Sequence, residues 1–206
     1  MNNILISLDP SFTRTGICII NLETKEIYFE TASCKIGEKQ FVNVVKSAQS
    51  IVAQLVSIFS KYGNEFDLIS EEPLPVSSMS SALYALDTLI YNTFENHIIK
   101  TYNPSTLCSK IHGHKYDKRD SQELTEKYLN KLTSCGYTIK SIFGTKKKLP
   151  HDCAEALLYA HLFLHDSGHC DFQFDNSEEI KAYKLRKKEL KKKEKELLKQ
   201  DPTYLS

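Results

Sequence analysis

Hydrophobic and polar positions change period several times along this chain, and each change marks an element. Ile4-Leu5-Ile6-Ser7-Leu8 is a short apolar run that ends at Asp9-Pro10. Residues 15–21 form a second apolar run rich in β-branched side chains, and residues 26–32 alternate. These segments predict three strands joined by tight turns, with Glu23-Thr24-Lys25 as a hairpin connection. Between residues 40 and 62 the apolar positions Val44, Val45, Ala48, Ile51, Val52, Leu55, Ile58 and Phe59 recur at helical spacing. That pattern predicts an amphipathic helix facing a core, stopped by Gly63-Asn64.

The pattern then alternates between the two kinds of element. Residues 66–70 read as a short buried strand ending at Glu71-Glu72-Pro73, residues 77–96 as a helix and residues 98–102 as a strand. Asn103-Pro104 looks like an N-cap followed by proline in the first helical turn. A loop over 113–117, a helix over 120–132, a basic loop over 145–150 and an apolar helix over 151–164 complete the body. Three strands, then helix, strand, helix, strand and helices give an α/β fold: a mixed five-stranded sheet covered by helices. The lysine- and glutamate-rich stretch 178–199 predicts a charged C-terminal helical extension.

The chain has 206 residues, 41% of them hydrophobic, which suits one domain with an appendage. No apolar run approaches the ~20 residues needed to cross a bilayer, and no secretory signal is visible. The expectation is a cytoplasmic protein, in a host's cytoplasm if a phage encodes it. None of the six cysteines forms a Cys-x-x-Cys pair, so they read as small buried hydrophobes. The net charge of +1 hides an asymmetry. Residues 176–206 carry ten Lys/Arg and six Asp/Glu, a balance of +4, which leaves −3 for the rest. A nucleic-acid partner would meet local basic patches and a basic tail, not a uniformly basic body.

Candidate chemistry lies in the acids at element ends. Asp9 closes the first strand, Glu71 and Glu72 close the fourth, and Asp152 and Glu155 open the last helix of the body. Residues at i and i+3 share a helix face, so Asp152 and Glu155 can point the same way. Each acid alone has an ordinary reading: a turn, a surface charge beside a proline, an acid favoured by a helix dipole. Their order on this strand pattern points instead to convergence at one end of a sheet. Crowded carboxylates repel unless a cation is present, and a hard ion such as Mg²⁺ prefers oxygen ligands. Two such ions about 4 Å apart can activate water and stabilise the leaving oxygen of a phosphodiester.

These residues resemble a known family. Leu8-Asp9-Pro10-Ser11-Phe12-Thr13-Arg14-Thr15-Gly16 is similar to the opening motif of RuvC-type Holliday-junction resolvases, members of the RNase H-like nuclease superfamily. Ile69-Ser70-Glu71-Glu72-Pro73 resembles the second motif, in which a strand delivers one glutamate. Ser81-Ala82-Leu83 and Tyr102-Asn103-Pro104 resemble weaker family features. His151-Asp152-Cys153-Ala154-Glu155-Ala156-Leu157 resembles the closing motif, usually Asp-Ala-Ala-Asp-Ala-Leu. The resemblance covers residues 3–166. It implies an RNase H-like nuclease domain over residues 1–170 and a separate basic tail over 176–206. Asp9, Glu71, Asp152 and Glu155 would be the catalytic, metal-binding acids, with Glu71 preferred to Glu72 by its place after the strand core. The implied cofactor is Mg²⁺ or Mn²⁺, and the implied partner is branched, four-way-junction DNA. The family's two-fold homodimer would form through the helix after the second motif, around Ser81, Ala82, Ala85 and Leu89. Two departures stand out: Glu155 replaces the usual aspartate, and the loop ending at Lys118 is shorter than the family's and lacks its second glycine.

Lys110, Lys115, Lys118 and Arg119 cluster around that loop, and Lys146, Lys147 and Lys148 precede the last helix. They are the candidate DNA-phosphate contacts, with ordinary surface charge as the alternative. Phe12 and Tyr116 could stack on an opened base or simply pack. His161, His165 and His169 recur every four residues beside Cys170, a spacing that zinc can use, but no paired cysteines support a site. Two other functions compete. An actin-like or sugar-kinase-like ATPase would need further glycine-rich phosphate motifs that are not visible. A junction-binding protein without chemistry would not need the four acids.

Overall fold

The computed structural model describes residues 1–34, 41–72, 80–112, 118–141 and 149–170, together with the single tail positions 181, 185, 188 and 189. Strands β1 (Ile4–Asp9), β2 (Thr15–Asn21) and β3 (Glu26–Ala32) form an antiparallel meander. Asn21 shapes the second turn by accepting hydrogen bonds on its Oδ1 from the Glu23 and Thr24 amides, and Lys25 takes φ 55° there. Helix α1 (Phe41–Phe59) follows, then β4 (Asp67–Glu71), α2 (Ser80–Phe94) and β5 (Ile98–Tyr102). Asn103 caps the next turn, its Oδ1 accepting from the Ser105 amide, with Pro104 at the first position as expected. That turn, α3 (Pro104–Thr106), widens at once into a π turn over Leu107–His112. Then come α4 (Lys118–Ser134), β6 (Thr138–Ser141) and α5 (His151–Asp166).

The sheet is mixed, in the order β5-β4-β1-β2-β3-β6. The five expected strands are joined by β6, which pairs parallel with the outer side of β3. Four residues with Ile139 as the only large apolar side chain give too little alternation to stand out in the sequence. The remaining signal is Gly136, which takes φ 86° after α4 and allows the chain to turn back.

Alternation divides the core in two. Leu5, Cys18, Ile27, Phe29 and Ile69 face α5 and α4, while Ile6, Leu8, Ile17, Ile19 and Leu68 face α1 and α2. Strands buried on both faces read as near-continuous apolar runs, which explains the look of β1 and β2 in the sequence. Helix α5 lies across β1, β2 and β4 and is flanked by α4. Cys153, Ala154, Leu157, Leu158 and Leu162 are all buried in it. Each such leucine contributes on the order of 2 kcal/mol by burial. Phe12 is buried in the α1–α2 core, so packing is its role. Among the described residues no helix is long and apolar enough to cross a membrane.

Candidate active site

The side-chain parity of two parallel strands builds the site. β1 and β4 pair in the register Ser7↔Ile69 and Leu8↔Ser70. Leu5 and Ile69 face α5, so Asp9 and Glu71, an even number of residues further on, face it too. Both acids thus stand side by side at the carboxyl ends of adjacent strands. Glu72 falls on the opposite parity. It is exposed, and its Oε1 accepts from the Thr101 hydroxyl.

The start of α5 supplies the rest. Asp152 and Glu155 lie in its first two turns, with His151 one residue ahead. What brings this helix so close is Gly16, the partner of Asp9 across the β1–β2 pair. A Cβ on Gly16 would lie 2.1 Å from the carbonyl carbon of Asp152 and 2.5 Å from the Cys153 nitrogen, with backbone on both sides. Only glycine admits that approach.

Around these acids, Tyr159 donates a 2.7 Å hydrogen bond to Glu71 Oε2, holding it from one turn further along α5. Arg14, in the β1–β2 loop, donates through Nε to Asp152 Oδ2. His151 Nε2 lies 3.3 Å from Glu155 Oε1, and its Nδ1 lies 3.7 Å from Asp152 Oδ1. Among the described residues, Asp9, His151 and Glu155 can each offer one donor atom such that all lie within 4.8 Å of one another.

Electrostatics separates the acids. Burial pushes Asp9 well above the usual carboxylate range, and Glu71, Glu155 and Asp152 push it further. Burial raises Glu71 to about 7, aided by Glu155 and opposed by its bonds to Tyr159 and Asp9 and by His151. Burial also raises Asp152, but His151 and Arg14 outweigh it and leave this acid below its ordinary value. A fifth carboxylate, Asp87 on α2, is raised to about 7 by burial and by Glu71 and Glu72. Among the described residues the arrangement is short of positive charge. Carboxylate oxygens with one imidazole nitrogen, gathered within a few ångströms, fit a divalent cation such as Mg²⁺ or Mn²⁺.

Solved structures supply the comparison. Thermus thermophilus RuvC aligns with a TM-score of 0.54 at 16% identity, over 81% of this chain and 97% of that one. The same organism's RuvC in complex with a Holliday-junction substrate aligns with a TM-score of 0.53 at 14% identity, over 81% and 96%. The fold is RuvC-like, of the RNase H-like class. A human cytomegalovirus terminase nuclease domain, Mn-soaked and inhibitor-bound, aligns at a TM-score of 0.37 and 18% identity, over 80% and 76%. No family model and no curated protein matches the sequence.

Within this RuvC-like frame, Asp9, Glu71, Asp152 and Glu155 come together at one end of the sheet. Three neighbours were not singled out from sequence: Arg14, His151 and Tyr159. Arg14 and His151 lie inside the motifs quoted above, so proximity to the acids was their signal. Tyr159 follows Glu155 by four residues, hence on the same helix face.

The basic candidates fare differently. Lys110 Nζ pairs with Asp166 at 2.9 Å, at the far end of α5. That end is ~21 Å from Asp152 at 1.5 Å per helical residue. Lys118 and Arg119 open α4, but their side chains, like all of Lys115, Lys146, Lys147 and Lys148, lie outside the described residues, as do Tyr116 and His114. His161 is buried and bonds through Nδ1 to the Tyr128 hydroxyl at 2.7 Å, and burial lowers its pKa to about 4. It is a satisfied core histidine, not part of a zinc site with His165.

Proposed function

We propose that this chain is a divalent-metal-dependent endonuclease that hydrolyses phosphodiesters in branched DNA, four-way junctions included. The observation that carries the reading is the convergence of Asp9, Glu71, Asp152 and Glu155 at one sheet end of a RuvC-like fold. Bound Mg²⁺ or Mn²⁺, in a two-ion arrangement, would supply an activated water and charge neutralisation at the scissile phosphate. The chain's own residues do the remainder. Asp9 and Glu155 would hold the cation, Tyr159 fixes the rotamer of Glu71, and Gly16 keeps the α5 acids against β1. Arg14, nearly half exposed at its side chain, suits a DNA phosphate. Lys118, Arg119 and the basic segment 146–148 would hold the DNA arms without reading sequence, as would the tail over 176–206.

A four-way junction has two symmetric strands to cut, so two copies related by a two-fold axis suit it. The contact would centre on α2, where Ala85 and Leu89 are partly exposed and where Ser81 and Ala82 precede them. Sedimentation at micromolar concentration, with and without junction DNA, tests the dimer; a monomer throughout overturns it. The nuclease reading is tested by incubating the protein with four-way, flap and linear DNA in Mg²⁺, Mn²⁺ or chelator. Metal-dependent cuts near the branch point are expected. Binding without cleavage under every metal condition would return the protein to the class of junction binders.

A further inference from the structure

Asp152 is held by a cation of the chain's own. Arg14 donates through Nε to its Oδ2, across 138 positions of sequence. The loop that carries Arg14 is tied at its ends. The Ser11 amide donates to Thr15 Oγ1 at 3.3 Å, the Thr15 hydroxyl donates to the Ser11 carbonyl at 3.1 Å, and Phe12 is buried in the core. The backbone around Arg14 is thereby fixed, whereas its side chain is 46% exposed. That side chain can turn to another rotamer without moving the loop. Its bond to Asp152 engages one of five N–H donors, and an ion pair open to solvent on one side is readily exchanged.

Asp152 also stands apart in geometry. It is not among the three residues, Asp9, His151 and Glu155, whose donor atoms lie within 4.8 Å of one another. A divalent ion drawn to Asp152 would meet the guanidinium within a few ångströms, and like charges that close repel. A DNA phosphate reverses the balance. Arginine's planar fork takes phosphate in two parallel hydrogen bonds, among the stronger charge-assisted pairs.

Resting on the nuclease reading, we propose that Arg14 is a latch worked by the substrate. Without DNA it occupies Asp152 and withholds that acid from the divalent cation. A backbone phosphate of the bound DNA draws it away and leaves Asp152 free to act as a ligand. One side chain thus couples the phosphate to the cation, and the coupling is reciprocal. Full loading of the site then follows DNA binding rather than preceding it.

The test uses the full-length protein, Mn²⁺ as the metal probe and a four-way junction as the DNA. Titrations are run in the cold, and a denaturing gel verifies that the DNA stays intact. Electron paramagnetic resonance of free Mn²⁺ reads the affinity. Wild type should bind Mn²⁺ on the order of tenfold more tightly at saturating junction than without DNA. Arg14→Ala should gain a similar factor without DNA, and should gain less from DNA than wild type does. In an Asp152→Asn background Arg14→Ala should change nothing, because the latch has no acid to cover. That double-mutant cycle separates the pair from the general loss of a positive charge. Arg14→Gln supplies a second variant, with the same expected result, should Arg14→Ala fold poorly by circular dichroism. A DNA-free Mn²⁺ affinity that the Arg14 variants leave unchanged or lower overturns the proposal. So does an equal gain in the Asp152→Asn background, or a wild-type affinity that junction DNA does not raise. Cleavage of branched DNA, measured in parallel, keeps the two readings apart. Cleavage with no effect of Arg14 on Mn²⁺ overturns the latch alone, whereas the Arg14 effect without cleavage under any metal overturns the nuclease reading alone.

Discussion

The two ends of α5 handle acidic side chains in opposite ways. At its end, Asp166 pairs with Lys110 at 2.9 Å, with the His165 ring alongside, and these neighbours outweigh burial to hold the carboxyl below its usual range. At its start, Asp152 and Glu155 meet Asp9 and Glu71, and Arg14 pairs with Asp152. Burial and mutual repulsion leave Asp9 and Glu71 raised. The far end shows that this fold can neutralise an acid when stability is what matters. The near end keeps acids together at a cost, and such a cost is a mark of a binding site.

The largest effect should come from removing the central acid. Asp9→Asn is expected to lower branched-DNA cleavage by on the order of a thousandfold or more. Under the proposed reading, in which the basic residues hold the DNA, binding in a gel-shift assay should change little. A near-normal cutting rate with Mg²⁺ or Mn²⁺ would mean that the near end of α5 is not the active site.

Next in size is the contact that holds the two acid-bearing elements together. Gly16→Ala places a methyl group against the α5 backbone and should destabilise the fold by about 3 kcal/mol, read from urea denaturation. An unperturbed midpoint would show that the helix start can retreat without loss.

Smaller, and of opposite sign, is the effect of Glu71→Gln on the metal-free protein. The folded pKa of Glu71, about 7, lies above the ordinary 4.5. Its proton is therefore held more tightly in the folded state. The stability this supplies is present below about pH 4.5 and is lost as pH rises through about 7. At pH 8 Glu71→Gln should stabilise the metal-free protein by roughly 2 kcal/mol, with little change at pH 4. Thermal melts at both pH values check it, and saturating Mn²⁺ should erase the advantage of the variant.

The smallest effect belongs to the compensated end. Lys110→Ala breaks a pair exposed on both sides and should cost under about 1 kcal/mol. Should Lys110 also touch DNA, its loss would flatten the salt dependence of binding by about one counterion. An unchanged slope would confine Lys110 to its pairing with Asp166.

The acids were legible because each closes an apolar run whose parity or period is itself legible. Counting by two from Leu5 reaches Asp9, counting by two from Ile69 reaches Glu71, and three residues separate Asp152 from Glu155. The same parity excludes Glu72. Strand β6 was hidden because four residues at a sheet edge need no apolar alternation. The contacts of Arg14 and His151 were hidden for another reason. Their partners lie on elements met only after folding or one residue away, and no one-dimensional period joins residue 14 to residue 152. The histidine spacing at 161 and 165 was equally visible, but the burial of His161 against Tyr128 assigns it to the core.

The close approach at Gly16 also sets a timetable. Residues 16 and 152 are 136 positions apart in the chain, yet their backbones touch. The β1–β2 hairpin can form early, since its contacts are local, but loop closure over that distance comes late. During synthesis the hairpin leaves the ribosome carrying Asp9; α1 and β4 can pack against it, but the α5 acids follow only later. An emerging chain therefore holds only half of the acid cluster. The acid cluster is completed only with the last helix of the body, at the step that also completes the core.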